Sequence, residues 1–133
     1  MSFFERVEHT ADLAVVVRGG DLPVLFANAA RALFQMMTES PAARDRTREI
    51  ALESVDLESL LVDWLNELIY LHEVEGETYA DFRVNALSPT TLTATVTGGA
   101  TTRKLKTIKA ATYHDLTITE TEAGAEAHIV FDV

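Results

Sequence analysis

The chain has 133 residues, of which 47% are hydrophobic and 24% charged, enough for one domain with a true core and no spare length for a second. Acidic residues outnumber basic ones 21 to 11, a formal charge of −10. A protein that tracks phosphates along RNA or DNA carries the opposite balance, so stable direct nucleic-acid binding is not expected. Cysteine is absent, which excludes disulfides, thiol catalysis and cysteine-based zinc sites and agrees with a reducing compartment.

No stretch reaches the roughly 18 apolar residues of a spanning helix. Phe3-Phe4 is followed at once by Glu5-Arg6, which is no signal-peptide core. The expected location is the cytoplasm, with no membrane partner.

In chain order, Leu13 to Arg18 is rich in β-branched residues and stops at Gly19-Gly20, the pattern of a strand. Leu22, Leu25, Phe26, Ala29, Ala30, Leu33, Phe34 and Met37 follow the spacing of one buried helical stripe. Asp21 supplies an N-cap oxygen, and Pro23 sits in the first turn, where its missing N–H costs nothing. Thr38 to Arg46 is polar and broken by Pro41, a surface loop. Arg48 to Glu53 is a short strand candidate. A second helix carries Leu57, Leu60, Leu61, Trp64, Leu65, Leu68, Ile69 and His72 on one face. Asp56 is its expected cap, Val55 is placed to staple against Leu60, and Gly76 ends it.

Tyr79 to Leu87 alternates with period two before Ser88-Pro89, and Thr91 to Thr97 follows, ending at Gly98-Gly99. Ile108 to Thr119 and Ala127 to Val133 complete the strands, joined across Glu122-Ala123-Gly124. Late strands linked by tight turns pair mainly antiparallel. The expected fold is therefore α+β, one domain over 1–133, with two helices packed on one face of a mainly antiparallel sheet.

Charge is unevenly distributed. From Phe82 through His114 there is no acidic residue, and the chain's only three lysines, Lys104, Lys106 and Lys109, lie here with Arg83 and Arg103. Two readings stand: a solvated loop that balances an acidic body, or a local anion-binding patch for one phosphate or an acidic partner surface. The patch lacks the aromatic interleaving that stacks bases.

Glu8-His9-Thr10-Ala11-Asp12 places three metal-competent side chains at the entrance of a strand. The same residues also suit turn chemistry, in which Thr10 and Asp12 bond to nearby backbone N–H groups. At the other end, Ile129, Phe131 and Val133 share one strand face and Val130 and Asp132 the other. Asp132 beside the last carboxylate concentrates negative charge, which favours a cation or a lysine nearby if that end is docked in the sheet; the alternative is a solvated end. On one continuous strand His114 and Asp115 would face opposite ways, so they are not expected to pair. His72 and His128 read as ordinary partly buried or surface histidines. No serine has the context of a nucleophile elbow and no Gly-rich phosphate loop precedes a helix, so no enzyme signature emerges.

Glu8-His9-Thr10-Ala11-Asp12, Ile108-Lys109-Ala110-Ala111-Thr112-Tyr113-His114 and the final Phe131-Asp132-Val133 together resemble the archease family, as does the helix segment from Asp56 to Leu68. The likeness runs from end to end at matching spacing. It implies a small α+β protein that is not itself catalytic. Archeases assist the RtcB-type RNA ligase of tRNA splicing and RNA repair, promoting guanylylation of the ligase and its multiple turnover with GTP and divalent metal. Carried over, the family's metal-binding aspartates match Asp12 and Asp132, with Val133 adjacent, and its functional lysine matches Lys109. Glu8 and His9 fall in the same motif, as candidates for partner or nucleotide-phosphate contact. Oxygen ligands of this kind imply Ca²⁺, Mg²⁺ or Mn²⁺ as cofactor. An alternative that the family suggests is a chaperone-like modulator of a tRNA-modifying enzyme such as an RNA methyltransferase. The chain departs from the family at Gly98-Gly99 and the short basic loop Ala100 to Lys106, where archeases commonly carry a Gly-Glu pair and an acidic, His-containing loop.

The implied site requires Asp12 and Asp132, at opposite ends of the sequence, to meet on neighbouring strands beside Lys109.

Overall fold

The structure, a computed structural model, describes residues 3–8 and 12–133. The elements run β1 (Phe4–Glu8), β2 (Asp12–Gly19), α1 (Leu22–Met37), β3 (Arg46–Glu53), α2 (Leu57–Glu75), β4 (Glu77–Leu87), β5 (Thr91–Ala100), β6 (Ala110–Ala111), β7 (Thr117–Thr121) and β8 (Gly124–Asp132). The α+β class is as expected and every ladder is antiparallel. The strands, however, divide into two sheets rather than one. A five-stranded sheet has the order β1-β2-β8-β6, with β7 also on β8, and a three-stranded sheet has the order β3-β5-β4.

The helices are terminated by their own caps. Asp21 accepts from the Val24 N–H at 2.9 Å, and Asp56 accepts from the Ser59 N–H at 2.8 Å. Gly76 closes α2 with φ of +66°, a left-handed conformation that glycine adopts without strain. Val55 does not staple the start of α2; it is 82% exposed. Between them the helices join the sheets: α1 lies against β2 and β4, and α2 against β3, β4 and β6. One apolar cluster holds the inner faces of both sheets, with Trp64, Phe26, Leu33, Leu65 and Phe131 among its fully buried members. The Trp64 indole N–H donates to the Phe26 carbonyl at 2.9 Å, locking α2 to α1 without an unsatisfied polar atom.

Two strand expectations are corrected. β5 runs through Gly98-Gly99 to Ala100, because these glycines serve close approach rather than a turn. A Cβ on Gly98 would collide with the Thr78 carbonyl oxygen, and one on Gly99 with the Ala43 carbonyl oxygen. The segment 108–119 is not one strand. β6 and β7 lie on the same edge of β8, and between Ala110↔Asp132 and Thr117↔His128 the chain uses seven residue steps against four. The extra residues bulge out around Asp115, whose φ is +52°, and the Leu116 N–H closes the turn on the Tyr113 carbonyl at 3.2 Å. Released from strand geometry, His114 Nε2 lies 3.3 Å from Asp115 Oδ2, with both side chains exposed, so the expectation that they do not pair is also corrected.

Where β3, β4 and the end of α2 converge, Glu77 is buried. Its carboxylate accepts from Arg48 Nε at 2.6 Å and Nη2 at 3.1 Å, from Arg46 Nη1 at 3.2 Å, and from the Tyr79 hydroxyl. The Arg48 hydrogen bonds outweigh desolvation and, with those from Tyr79 and Arg46, hold the Glu77 carboxyl down to about 2. Burial, reinforced by the Glu77 carboxylate, pushes the Tyr79 phenol up. His72 is buried too, its Nδ1 sharing a hydrogen bond with the Glu77 carbonyl at 2.8 Å.

A Glu77 carboxyl depressed below its ordinary 4.5 contributes stability above that value and loses it as the pH falls toward 2. The half-exposed arginines regain water when their partner is removed, so Glu77→Gln is expected to cost only about 2 kcal/mol at pH 7. In urea titrations the gap between wild type and variant narrows as the pH is lowered from 4.5 to 2.

Candidate functional site

Asp12 opens β2, Asp132 closes β8, and the two are Cα partners in the β2–β8 ladder. Directly opposed residues share a sheet face, with Cβ atoms about 5 Å apart. The next pair, Leu13 and Phe131, belongs to the core, so alternation turns both carboxylates to the outer face. Asp12 is half-buried and Asp132 exposed. Among the described residues neither carboxylate has an ion-pair or hydrogen-bond partner.

On the other edge of β8, Ala110 pairs with Asp132, and the Lys109 N–H donates to the Asp132 carbonyl at 2.8 Å. Asp132 is therefore flanked by Asp12 on one side and by the Lys109-Ala110 segment on the other. Lys109 has an exposed side chain and no ion pair among the described residues. It follows Ile108, which is 1% exposed and anchors the approach to β6.

β6 has only two residues and needs help to stay in place. The Thr112 N–H and hydroxyl both donate to the Val130 carbonyl, at 3.0 and 2.8 Å. From α2, Asn66 acts as a surrogate strand: its Oδ1 accepts from the Ala111 N–H at 2.7 Å and its Nδ2 donates to the Ala111 carbonyl at 3.2 Å. Sequence reasoning missed Asn66. Its signal was an amide beside the apolar stripe of α2, one residue from the face that was read.

Glu8 ends β1 opposite Leu13, and His9 lies outside the described residues. Val133 follows β8 and is 38% exposed. Among the described residues, no group of three or more His, Cys, Asp or Glu side chains is arranged to hold a metal ion. Asp12 and Asp132 thus supply two carboxylates on one face, hard oxygen donors whose mutual repulsion a divalent cation relieves. Among the described residues, these two carboxylates suit an oxygen-liganded cation that keeps part of its water shell.

The model of the Archease protein family matches residues 4–133. The chain is 40% identical over 139 aligned positions to the protein archease of Methanosarcina barkeri, covering 98% of this chain and 95% of that one. It is 33% identical to the protein archease of Pyrococcus abyssi, covering 93% of each. Two solved structures share the fold. One is the solution structure of a Methanobacterium thermoautotrophicum protein, with a TM-score of 0.75, 31% identity and all of both chains covered. The other is the crystal structure of a Thermotoga maritima protein described as "an archease, possible chaperone", with a TM-score of 0.67, 25% identity, and 97% and 96% covered. The chain belongs to the archease family.

If Asn66 holds the Lys109 segment against β8, Asn66→Ala removes two hydrogen bonds worth about 1–2 kcal/mol together. Amide exchange at Ala111 should then quicken roughly tenfold, while exchange in the middle of β2 stays unchanged.

Proposed function

We propose that this protein is a non-catalytic accessory factor that promotes guanylylation and multiple turnover of an RtcB-type RNA ligase. The observation that carries the reading is the pairing of Asp12 with Asp132, together with the Lys109 N–H on the Asp132 carbonyl. The two carboxylates on one face and the Lys109 segment at the same end of the sheet are, in this reading, a tip that enters another protein's active site. In this reading Asp12 and Asp132 hold a divalent cation, Ca²⁺, Mg²⁺ or Mn²⁺, which screens the charge of nucleotide phosphates when bound. Lys109 supplies an ammonium donor to those phosphates. Hydrogen bonds fix the backbones of the three residues relative to one another, so the tip meets its target with little backbone ordering cost.

The tip's attachment to the core separates function from stability. Asp132→Asn keeps the size of the side chain and relieves like-charge repulsion across the ladder, so the melting temperature is expected to hold or rise slightly. The same change should abolish stimulation of multiple-turnover RNA ligation by the cognate RtcB-type enzyme with GTP and divalent metal. Full stimulation by the folded Asp12→Asn, Asp132→Asn double variant would overturn the reading. That outcome would favour the chaperone-like alternative, which depends on apolar surface and tolerates the change.

A further inference from the structure

The loop between β5 and β6 carries Arg103, Lys104, Lys106 and Lys109, and its backbone is fastened along its length. The Arg103 carbonyl accepts from the Glu39 N–H at 3.0 Å, and the N–H groups of Leu105 and Lys106 donate to the Met37 carbonyl at 2.7 and 3.2 Å. Lys104 forms a bridge with Thr38, and the Thr102 hydroxyl donates to the Ser40 carbonyl at 3.1 Å. An irregular segment so tied to the end of α1 presents its side chains in a set arrangement.

Those side chains point to a partner. Among the described residues Arg103 and Lys104 make only long, exposed pairs, at 3.4 Å to Glu39 and 3.8 Å to Glu73, which contribute little. Lys106 is exposed and without an ion pair among the described residues. Between the lysines Leu105 stands 52% exposed, an apolar side chain that the chain's own core does not claim. Lys104 and Lys106 are two residues apart and Lys106 and Lys109 three, and three residues of extended chain reach at most about 10 Å. That is about one Debye length at 0.1 M salt, so their fields add locally although the molecule carries −10.

We infer that Lys104-Leu105-Lys106 is a docking ridge for an acidic protein surface with an apolar socket, continuous with the Lys109 tip. This inference rests on the ligase reading, in which it names the second contact that orients the tip. The ridge favours protein over RNA because its centre is an aliphatic side chain with no aromatic group to stack a base, and the net charge repels a polyanion at long range.

The test is binding of the full chain to the cognate RtcB-type ligase by calorimetry at several salt concentrations, beside the turnover assay. Lys106→Glu, which breaks no ion pair, is expected to weaken binding about tenfold and flatten its salt dependence. The double reversal with Lys104→Glu weakens it further, and Leu105→Ser weakens it severalfold with the salt slope unchanged. At saturating protein all three still stimulate turnover fully, whereas Asp132→Asn does not stimulate at any concentration. Wild-type affinity in the Lys106→Glu and Leu105→Ser variants overturns the ridge and leaves the ligase reading standing. Failure of the wild-type chain to bind the ligase overturns both. Tight binding of the wild-type chain to a single-stranded RNA oligonucleotide, lost on the Lys106→Glu reversal, overturns the protein partner in favour of RNA.

Discussion

The β2–β8 ladder is the constraint on which the rest depends. Eight register pairs, from Asp12↔Asp132 to Gly19↔Ala125, join the two ends of the chain. Their register is set from the inside: Leu13, Val15 and Val17 face the core opposite Phe131, Ile129 and Ala127. A slip by one residue would turn every one of these side chains to the wrong face, so hydrophobic packing forbids it. The opposition of Asp12 to Asp132 follows from that packing. Two like charges face each other because the core allows no other alignment. On the same outer face, Arg18 bonds Glu5 on β1 at 2.6 Å and Glu126 on β8 at 3.1 Å, a lateral clasp across three strands at the opposite end of the ladder.

The position of Lys109 has a different origin. β6 is too short to hold itself, and its place is assigned by Ile108 in the core, Thr112 on Val130 and Asn66 reaching across from α2. Packing of the second helix is thereby coupled to the basic segment beside the carboxylate pair.

Much of this was legible in the residues. Both helices are bounded by caps whose chemistry can be read directly, Asp21 and Asp56 at the start and Gly76 at the end. The strand around Phe82 read correctly from its period-two alternation, and the one around Val15 from an apolar, β-branched run that is buried from Ala14 to Val17. Less legible were features fixed by distant neighbours. Gly98-Gly99 looks like a turn, yet it is a strand that other backbones approach closely, and nothing local distinguishes the two uses. The bulge at Tyr113 to Leu116 interrupts a sequence of good strand formers because β8 resumes pairing three residues out of step. The buried Glu77 cluster was invisible, since Arg46 and Arg48 come from β3 and Glu77 and Tyr79 from β4, two strands separated in sequence by the whole of α2. For the site, Asp12, Lys109 and Asp132 were found through family likeness, and Asn66 was not, because a single amide on a helix carries no periodicity.

Paramagnetic broadening of backbone amide signals by substoichiometric Mn²⁺ is the direct test of the proposed divalent cation on the Asp12 and Asp132 carboxylates beside Lys109. The account predicts selective loss of the signals of residues 12–13, 109–110 and 131–132, abolished in the Asp12→Asn variant while the rest of the spectrum is retained. Broadening centred elsewhere on the molecule, or the same pattern persisting in that variant, would contradict it.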